Sequence, residues 1–299
     1  MKHTVKEWIA VTRYWSFPVS SMPVVVTFAY LLSRGLVPCG IAPVVNFILA
    51  LIGVVILHSA GNVLSDYFDY KTGVDNEDAF AVPNLVFKKF EPREYLIFSI
   101  LLFAIGCGIG FLLVFLTGWK LLLIGGIGVL LTAGYSFLKY HALGDLDIFI
   151  IFSVLIMLGT TYVVTGELLP DALVLALPVG IITVSVLHAN NTVDIESDGK
   201  AGMKSFAMLI GGKASAVLYR IYMAVPFVSV IAAVIAGLVS PCALVCLVAA
   251  IPAWKNFKAA SHYDEKGIGT MAGLDQASAK LQLVFSGLLS IGLFVAALI

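Results

Sequence analysis

The chain reads as long apolar runs separated by short polar segments. Nine runs are long enough to cross a bilayer as helices, at about 17–36, 44–64, 95–116, 119–137, 147–165, 172–189, 216–238, 241–257 and 281–299. A span needs roughly 20 mostly apolar residues, because the hydrocarbon core is about 30 Å thick and a helix rises about 1.5 Å per residue. In lipid every backbone N–H and C=O must be satisfied internally, so runs of this length are expected to be helical. The pattern therefore predicts an all-α, polytopic membrane protein with nine transmembrane helices, embedded in the lipid bilayer as one domain over residues 1–299. Composition agrees: 60% of the 299 residues are hydrophobic and 12% are charged, far from the soluble range. Residues 1–14 are polar and no small-residue cleavage pattern follows them, so no cleavable signal peptide is expected.

The polar segments are not equivalent. All Lys and Arg residues except Arg34 and Lys120 fall in the N-terminal segment and alternate loops, or at span ends on that same side. The positive-inside rule then predicts a cytoplasmic N-terminus and an outer C-terminus; the expected location is a bacterial-type cytoplasmic membrane, as an integral, multi-pass protein. Formal net charge is zero, so no nucleic-acid partner is implied. Cys39, Cys107, Cys242 and Cys246 lack metal-site spacing with His and read as small apolar packing residues.

Two acid-rich clusters carry the chemistry. The first runs from Asn62 through Ser65, Asp66 and Asp69, and the second from Asn190 through Asp194, Glu196 and Asp198. Each closes a long apolar segment on the predicted cytoplasmic side. Of 18 acidic residues, eight fall within 66–78 and 194–198, a concentration that loop-edge solubility does not explain. If the second span continues as a helix, Asn62, Asp66 and Asp69 occupy i, i+4 and i+7 on one face. Asn190, Asp194 and Asp198, at i, i+4 and i+8, form a second stripe. Two facing stripes of oxygen ligands suit Mg²⁺, which keeps several waters and binds substrate phosphate oxygens. Asp75 is a further candidate ligand from the loop, whereas Glu77, Asp78 and Glu196 read as solvated charges. Arg13, Lys71, Lys139, Lys200 and Lys204 lie on the same side as candidate partners of a diphosphate, and Asn62 and Asn190 as polar contacts to it. His58 and His188 precede the clusters and read as packing histidines, His188 being the better placed for a site role.

Asn62 and Asn190 are 128 residues apart, as are Asp66 and Asp194. This offset predicts an internal duplication, with halves at about 15–140 and 145–280 and a site at their interface. The segments of about 65–94 and 189–215 are long for bundle connectors, and such loops tend to be functional.

The sequence resembles the UbiA superfamily of intramembrane aromatic prenyltransferases, most closely its naphthoquinone, MenA-like branch. Three stretches carry the resemblance. Gly61–Asp75 is similar to the first Asp motif, with Ser65 where the family usually has Asn. Phe137–Asp145 is similar to the central loop. Leu187–Asp198, continued by Lys200-Ala201-Gly202, is the most specific match. The resemblance implies nine helices around a central cavity that opens sideways to lipid. It also implies Mg²⁺-dependent transfer of a chain from a polyprenyl diphosphate to an aromatic acceptor, chiefly 1,4-dihydroxy-2-naphthoate in menaquinone synthesis. On that pattern Asp66, Asp69, Asp194 and Asp198 are catalytic. Asp66, Asp69, Asp75, Asn190, Asp194 and Asp198 hold the metal. Arg13, Asn62, Lys71, Lys139, Asn190 and Lys200 bind the diphosphate.

Three alternatives remain: another acceptor (4-hydroxybenzoate, homogentisate or a lipid alcohol), an ion-coupled transporter, and a CDP-alcohol phosphotransferase. Transporter sites lie near the midplane, whereas these acids lie at span ends. The D-G-x-x-A-R arrangement of the phosphotransferases is absent beside either cluster.

Overall fold

The computed structural model describes residues 3–75 and 84–299. Glu77, Asp78 and the segment 80–83 lie outside the described residues. Helix α1, Val5–Val11, occupies the polar N-terminal stretch, where the apolar pattern predicts no element. Its cause is local. The Thr4 hydroxyl accepts from Glu7 N–H, and the Glu7 carboxylate accepts from Thr4 N–H at 2.8 Å, a reciprocal cap that satisfies two otherwise orphaned donors.

Among the described residues nine long apolar helices follow: α2 Tyr14–Ser33, α3 Ala42–Thr72, α4 Pro92–Thr117, α5 Lys120–Lys139, α6 Gly144–Thr165, α7 Pro170–Val193, α9 Gly212–Ile235, α10 Pro241–Ser261 and α11 Leu274–Ala296. The short α8, Ile195–Lys200, follows α7 after a break at Asp194. Pro43, Pro92, Pro170 and Pro241 sit near helix starts, where the missing N–H has no partner to lose. Helix α3 ends at Gly73, whose left-handed φ of 77° suits a residue without Cβ.

Each predicted span corresponds to one of these helices, most ends shifting by a turn or less, but two ends differ by more. Helix α3 runs past residue 64 to Thr72, and α11 starts at Leu274 rather than 281. Hydropathy registers the stretch of helix that needs lipid. A polar turn beyond the hydrocarbon still propagates as helix, since each added residue gains a backbone hydrogen bond.

Helix α2 packs against α3, α6 and α11; α3 packs against α4, α5 and α6; α7 packs against α9 and α11; and α10 packs against α11. The helices surround a central cavity of about 330 Å³. Lipid is as apolar as a leucine side chain, so close approach and polar pairing hold such a bundle together. A Cβ on Gly180 of α7 would lie 2.7 Å from Ser153 Oγ of α6, and one on Gly106 of α4 would lie 2.6 Å from Leu57 Cδ2 of α3. Polar cross-links add to this: Asn46 Nδ2 donates to Val163 O at 2.9 Å, and Tyr219 Oη bonds Ser278 Oγ at 2.7 Å.

Candidate functional site: an acid-lined chamber at one end of the bundle

Because α3 remains helical through Thr72, Asn62, Asp66 and Asp69 project from one face into the central cavity. Opposite them, Asn190 at the end of α7, Asp194 at the break and Asp198 on α8 line the same cavity. The break leaves the second stripe intact, because Asp198 N–H still donates to Asp194 O at 2.8 Å. Asn190 Nδ2 donates to Asp194 Oδ2 at 3.1 Å and orients that carboxylate. Asp75 also faces the cavity, and its N–H donates to Asp69 O at 3.0 Å.

Two cations answer the acids of α3. The Lys139 ammonium lies 3.2 Å from Asp69 Oδ2, and 9% of its side chain is exposed. The Arg13 guanidinium pairs with Asp66 and is 42% exposed. Lys139 therefore stands deep in the chamber and Arg13 at its mouth. Arg13 adopts a left-handed backbone (φ 55°, ψ 48°), uncommon for a residue with a Cβ. Its neighbours hold it there: Asn62 Nδ2 donates to Thr12 O at 3.0 Å, and Ser16 Oγ donates to Arg13 O at 2.8 Å. The Asn62 amide thus ties the end of α1 to α3.

The remaining predicted cations lie elsewhere. Lys71 does not line the cavity. It follows Asp69 by two residues, so the helix turns it to the exposed face, where its ammonium lies 5.8 Å from the centre of the Tyr67 ring. Lys200 and Lys204 are exposed and also lie outside the cavity lining. Glu196 is exposed, as a solvated charge should be. His58 lines the cavity with Nδ1 3.0 Å from Ser20 Oγ. His188 is fully buried, with Nδ1 2.9 Å from Asp145 Oδ2 and Nε2 3.2 Å from Ser215 O. It joins α7 to α6 and α9, the packing role.

Several residues at the site escape the sequence reading. Tyr140 Oη donates to Asp69 Oδ1 at 2.7 Å. Burial first and the Asp69 charge second raise the Tyr140 phenol, so it stays protonated and donating. With Ser65 Oγ at 3.4 Å from Oδ2, Asp69 is held by three donors. Tyr95, Tyr135, Asp275 and Gln276 also line the chamber. Asp275 and Gln276 are brought there by the early start of α11. An interrupted apolar pattern cannot show that a helix begins before its hydrophobic part.

Burial pushes two carboxyls up to about 7. Asp75 is raised by burial and then by the charges of Asp69 and Asp66. Asp198 is raised by burial, with Lys139 opposing and Asp194 adding. Burial also raises Asp194. These groups resist carrying negative charge in the free protein, and an added cation would relieve them. Among the described residues, no three His, Cys, Asp or Glu side chains are gathered tightly enough to hold a metal alone. An all-oxygen donor set spread across a chamber fits an ion that completes its shell with waters and ligand oxygens, as Mg²⁺ does. It fits poorly an ion that needs a closed protein cage.

Fold and site together define a polytopic membrane bundle with an acid-lined polar chamber at one end of an apolar interior. The chain belongs to the UbiA prenyltransferase family, whose description matches residues 21–297. It is 32% identical over 236 residues to UbiA prenyltransferase domain-containing protein 1 of Xenopus tropicalis, an alignment covering 76% of this chain and 66% of the relative. The chain thus spans about two thirds of that relative's length. Among solved structures, the apo UbiA homolog from Aeropyrum pernix K1 superposes with a TM-score of 0.69 at 19% identity, covering 93% of this chain and 97% of that one. A UbiA homolog from Archaeoglobus fulgidus, bound to DMAPP and Mg²⁺, gives a TM-score of 0.61 at 14% identity, covering 98% and 99%.

Proposed function

We propose that the protein transfers a polyprenyl group from a polyprenyl diphosphate to an aromatic acceptor, in a Mg²⁺-dependent reaction at a site facing the cytoplasm. The observation that carries this reading is the facing of two carboxylate stripes, with Arg13 and Lys139 between them, at the head of an apolar interior. The bound prenyl diphosphate and Mg²⁺ of the Archaeoglobus fulgidus homolog support it. Similarity of Leu187–Asp198 to the naphthoquinone branch favours 1,4-dihydroxy-2-naphthoate as acceptor, and hence menaquinone synthesis. The transporter reading is disfavoured because the charges gather at one end of the helices.

The chemistry needs a leaving group, a shielded electrophile and a ring. The allylic C–O bond breaks with its electron pair going to the diphosphate. A ring carbon then supplies the pair for the new C–C bond and loses its own substituent, a proton or CO₂. Mg²⁺ held among Asp66, Asp69, Asp75, Asn190, Asp194 and Asp198 would bring the diphosphate in and neutralise its charge. Lys139 sits deep enough to meet the bridging end of the diphosphate and to stabilise charge that grows as it departs. Arg13 at the mouth draws the anion in. Tyr140 and Ser65 hold Asp69 in place. Val19, Ile148, Ile151 and Phe152 form an apolar wall that keeps water from the electrophile.

The test is transfer by purified protein in lipid nanodiscs, using radiolabelled polyprenyl diphosphates and an acceptor panel, with and without Mg²⁺. Product that appears only with Mg²⁺, and most with the naphthoate, is expected. No prenylated product from any acceptor would overturn the reading, and a preference for another ring would overturn only the acceptor assignment.

A further inference from the structure

Two histidines stand within the membrane-spanning helices, and their ring nitrogens differ. A packing histidine engages both, as His188 does: Nδ1 with Asp145 Oδ2 at 2.9 Å and Nε2 with Ser215 O at 3.2 Å. His58, only 8% exposed, engages one. Its Nδ1 lies 3.0 Å from Ser20 Oγ of α2. Ser20 Oγ in turn donates to Phe17 O at 3.3 Å, so the hydroxyl has used its hydrogen and accepts from Nδ1–H. That fixes the tautomer: Nε2 carries a lone pair and no hydrogen. Among the described residues nothing hydrogen-bonds Nε2. The atom is not enclosed either, and the ring lines the central cavity, so the lone pair opens into it.

His58 continues the stripe of Asn62, Asp66 and Asp69 by one more turn of α3, and all four line the same cavity. It lies about 12 Å deeper than Asp66 along the helix, at 1.5 Å per residue. Two other hydroxyls of that wall, on Thr132 and Thr183, donate to carbonyls of their own helices. Phe152 at 4.8 Å and Phe17 at 6.3 Å, centre to centre, stand edge-on to the imidazole and hold its plane. The cations of the chamber are already answered, Arg13 by Asp66 and Lys139 by Asp69, so they oppose a further positive charge on the ring only weakly. An ionisable ring with an unengaged nitrogen is costly inside a membrane bundle and marks a functional position.

We propose that His58 Nε2 is the base that takes the hydroxyl proton of the aromatic acceptor as the ring attacks. This inference rests on the prenyl-transfer reading and deepens it. A diphosphate held among the acids fills the upper part of the gap between Asp66 and His58, and its allylic carbon hangs beneath. The attacking ring takes the lower part, with a hydroxyl against Nε2. The electrons run one way. The Nε2 lone pair takes the hydroxyl hydrogen, and the O–H pair becomes the second bond of a ring C=O. A ring π pair forms the new C–C bond, and the allylic C–O pair leaves with the diphosphate. The ring carbon then releases its own substituent, as CO₂ or as a proton to water. The pair left behind restores the aromatic ring, the carbonyl oxygen takes its proton back from the imidazolium, and His58 ends as it began. A positioned base of this kind contributes about 10²–10⁴-fold in rate.

The experiment combines two variants with a change of pH. His58→Gln places an amide where Nε2 stood, and His58→Asn places one where Nδ1 stood; neither takes up a proton. Initial rates are read in nanodiscs without oxygen, with Mg²⁺, geranyl diphosphate and the preferred hydroxyl-bearing acceptor of the panel, from about pH 7 to about pH 9. At pH 7 both variants should lose kcat by about 100-fold or more. Their Kd for unreactive geranyl thiolodiphosphate with Mg²⁺ should shift by less than about threefold. As pH rises the acceptor hydroxyl ionises in solution and the base becomes dispensable, so the variants should gain up to about tenfold per pH unit on the unaltered protein. Thr160→Val, which removes a hydroxyl bonded within its own helix, should match the unaltered protein. Near-normal kcat in either His58 variant at pH 7, a loss of the same size at every pH, or a matching loss of thiolodiphosphate binding each overturns the base. Absence of product from the unaltered protein with every acceptor would instead overturn prenyl transfer itself.

Discussion

Replacing Lys139 by Met removes one charge and keeps the length of the stem. The ammonium lies 3.2 Å from Asp69 Oδ2, with 9% and 5% of the two side chains exposed. At an effective dielectric of about 20, attraction across that distance is about 5 kcal/mol. Part of it survives the substitution, because Tyr140 and Ser65 still donate to Asp69. A net loss of about 3 kcal/mol follows, the low end for breaking a buried pair. For a chain of 299 residues this lowers the apparent Tm by about 6 °C. Asp69→Asn in the same chain removes the unpaired charge and should restore most of that Tm. Turnover should behave differently. Lys139→Met should lower kcat about 100-fold, the effect of losing one group that stabilises developing charge, and move KM for the diphosphate little. The double variant should be at least as slow, since it also loses a candidate metal ligand. Thermal melts and steady-state kinetics in nanodiscs read both quantities, with exposed Lys258→Ala as the control. Recovery of turnover in the double variant would refute a direct role for Lys139. A pure KM effect would reduce it to a docking charge, and an unchanged Tm would refute the buried pair.

Four further outcomes follow from the site. Asp194→Ala should cut turnover at least about tenfold with little change in Tm, since among the described residues its carboxylate accepts from a single side chain, Asn190; near-normal turnover at saturating Mg²⁺ would remove it from the metal set. Asp75 and Asp198, each raised to about 7, are partly protonated at neutral pH, and a bound cation lowers both. Binding of Mg²⁺ and diphosphate should therefore release protons below about pH 7 and weaken as pH falls, by up to about tenfold per unit for each group; calorimetry in buffers of different ionisation heat would contradict this by showing proton uptake. Lys71→Ala, on the exposed face of α3, should change KM for the diphosphate by less than about threefold, and a loss like that of Lys139→Met would mean that the ligand extends outside the chamber. Gly180→Val would press a side chain against Ser153 and should cost about 1–3 kcal/mol, read as a lower Tm; an unchanged Tm would mean that α6 and α7 can separate freely.

Much of this protein is legible without coordinates. The length and spacing of the apolar runs decide nine membrane helices, because lipid leaves the backbone no other way to satisfy its hydrogen bonds. The spacing of Asn62, Asp66 and Asp69 places them on one helical face, and the matched offset of Asn190 and Asp194 marks the second stripe. Tertiary structure alone decides which charges meet. Lys71 and Lys139 are both basic residues at the acid end, yet helical phase turns Lys71 outward while the end of α5 carries Lys139 against Asp69. Tyr140 reaches Asp69, and Asp275 and Gln276 reach the chamber, through the placement of a helix end and an early helix start, neither of which interrupts or extends an apolar run. The same holds for the glycines: sequence shows many in the spans, and only the neighbours of each missing Cβ show which of them let helices touch. Periodicity is a property of one helix and its solvent, whereas pairing and empty space are properties of several helices together.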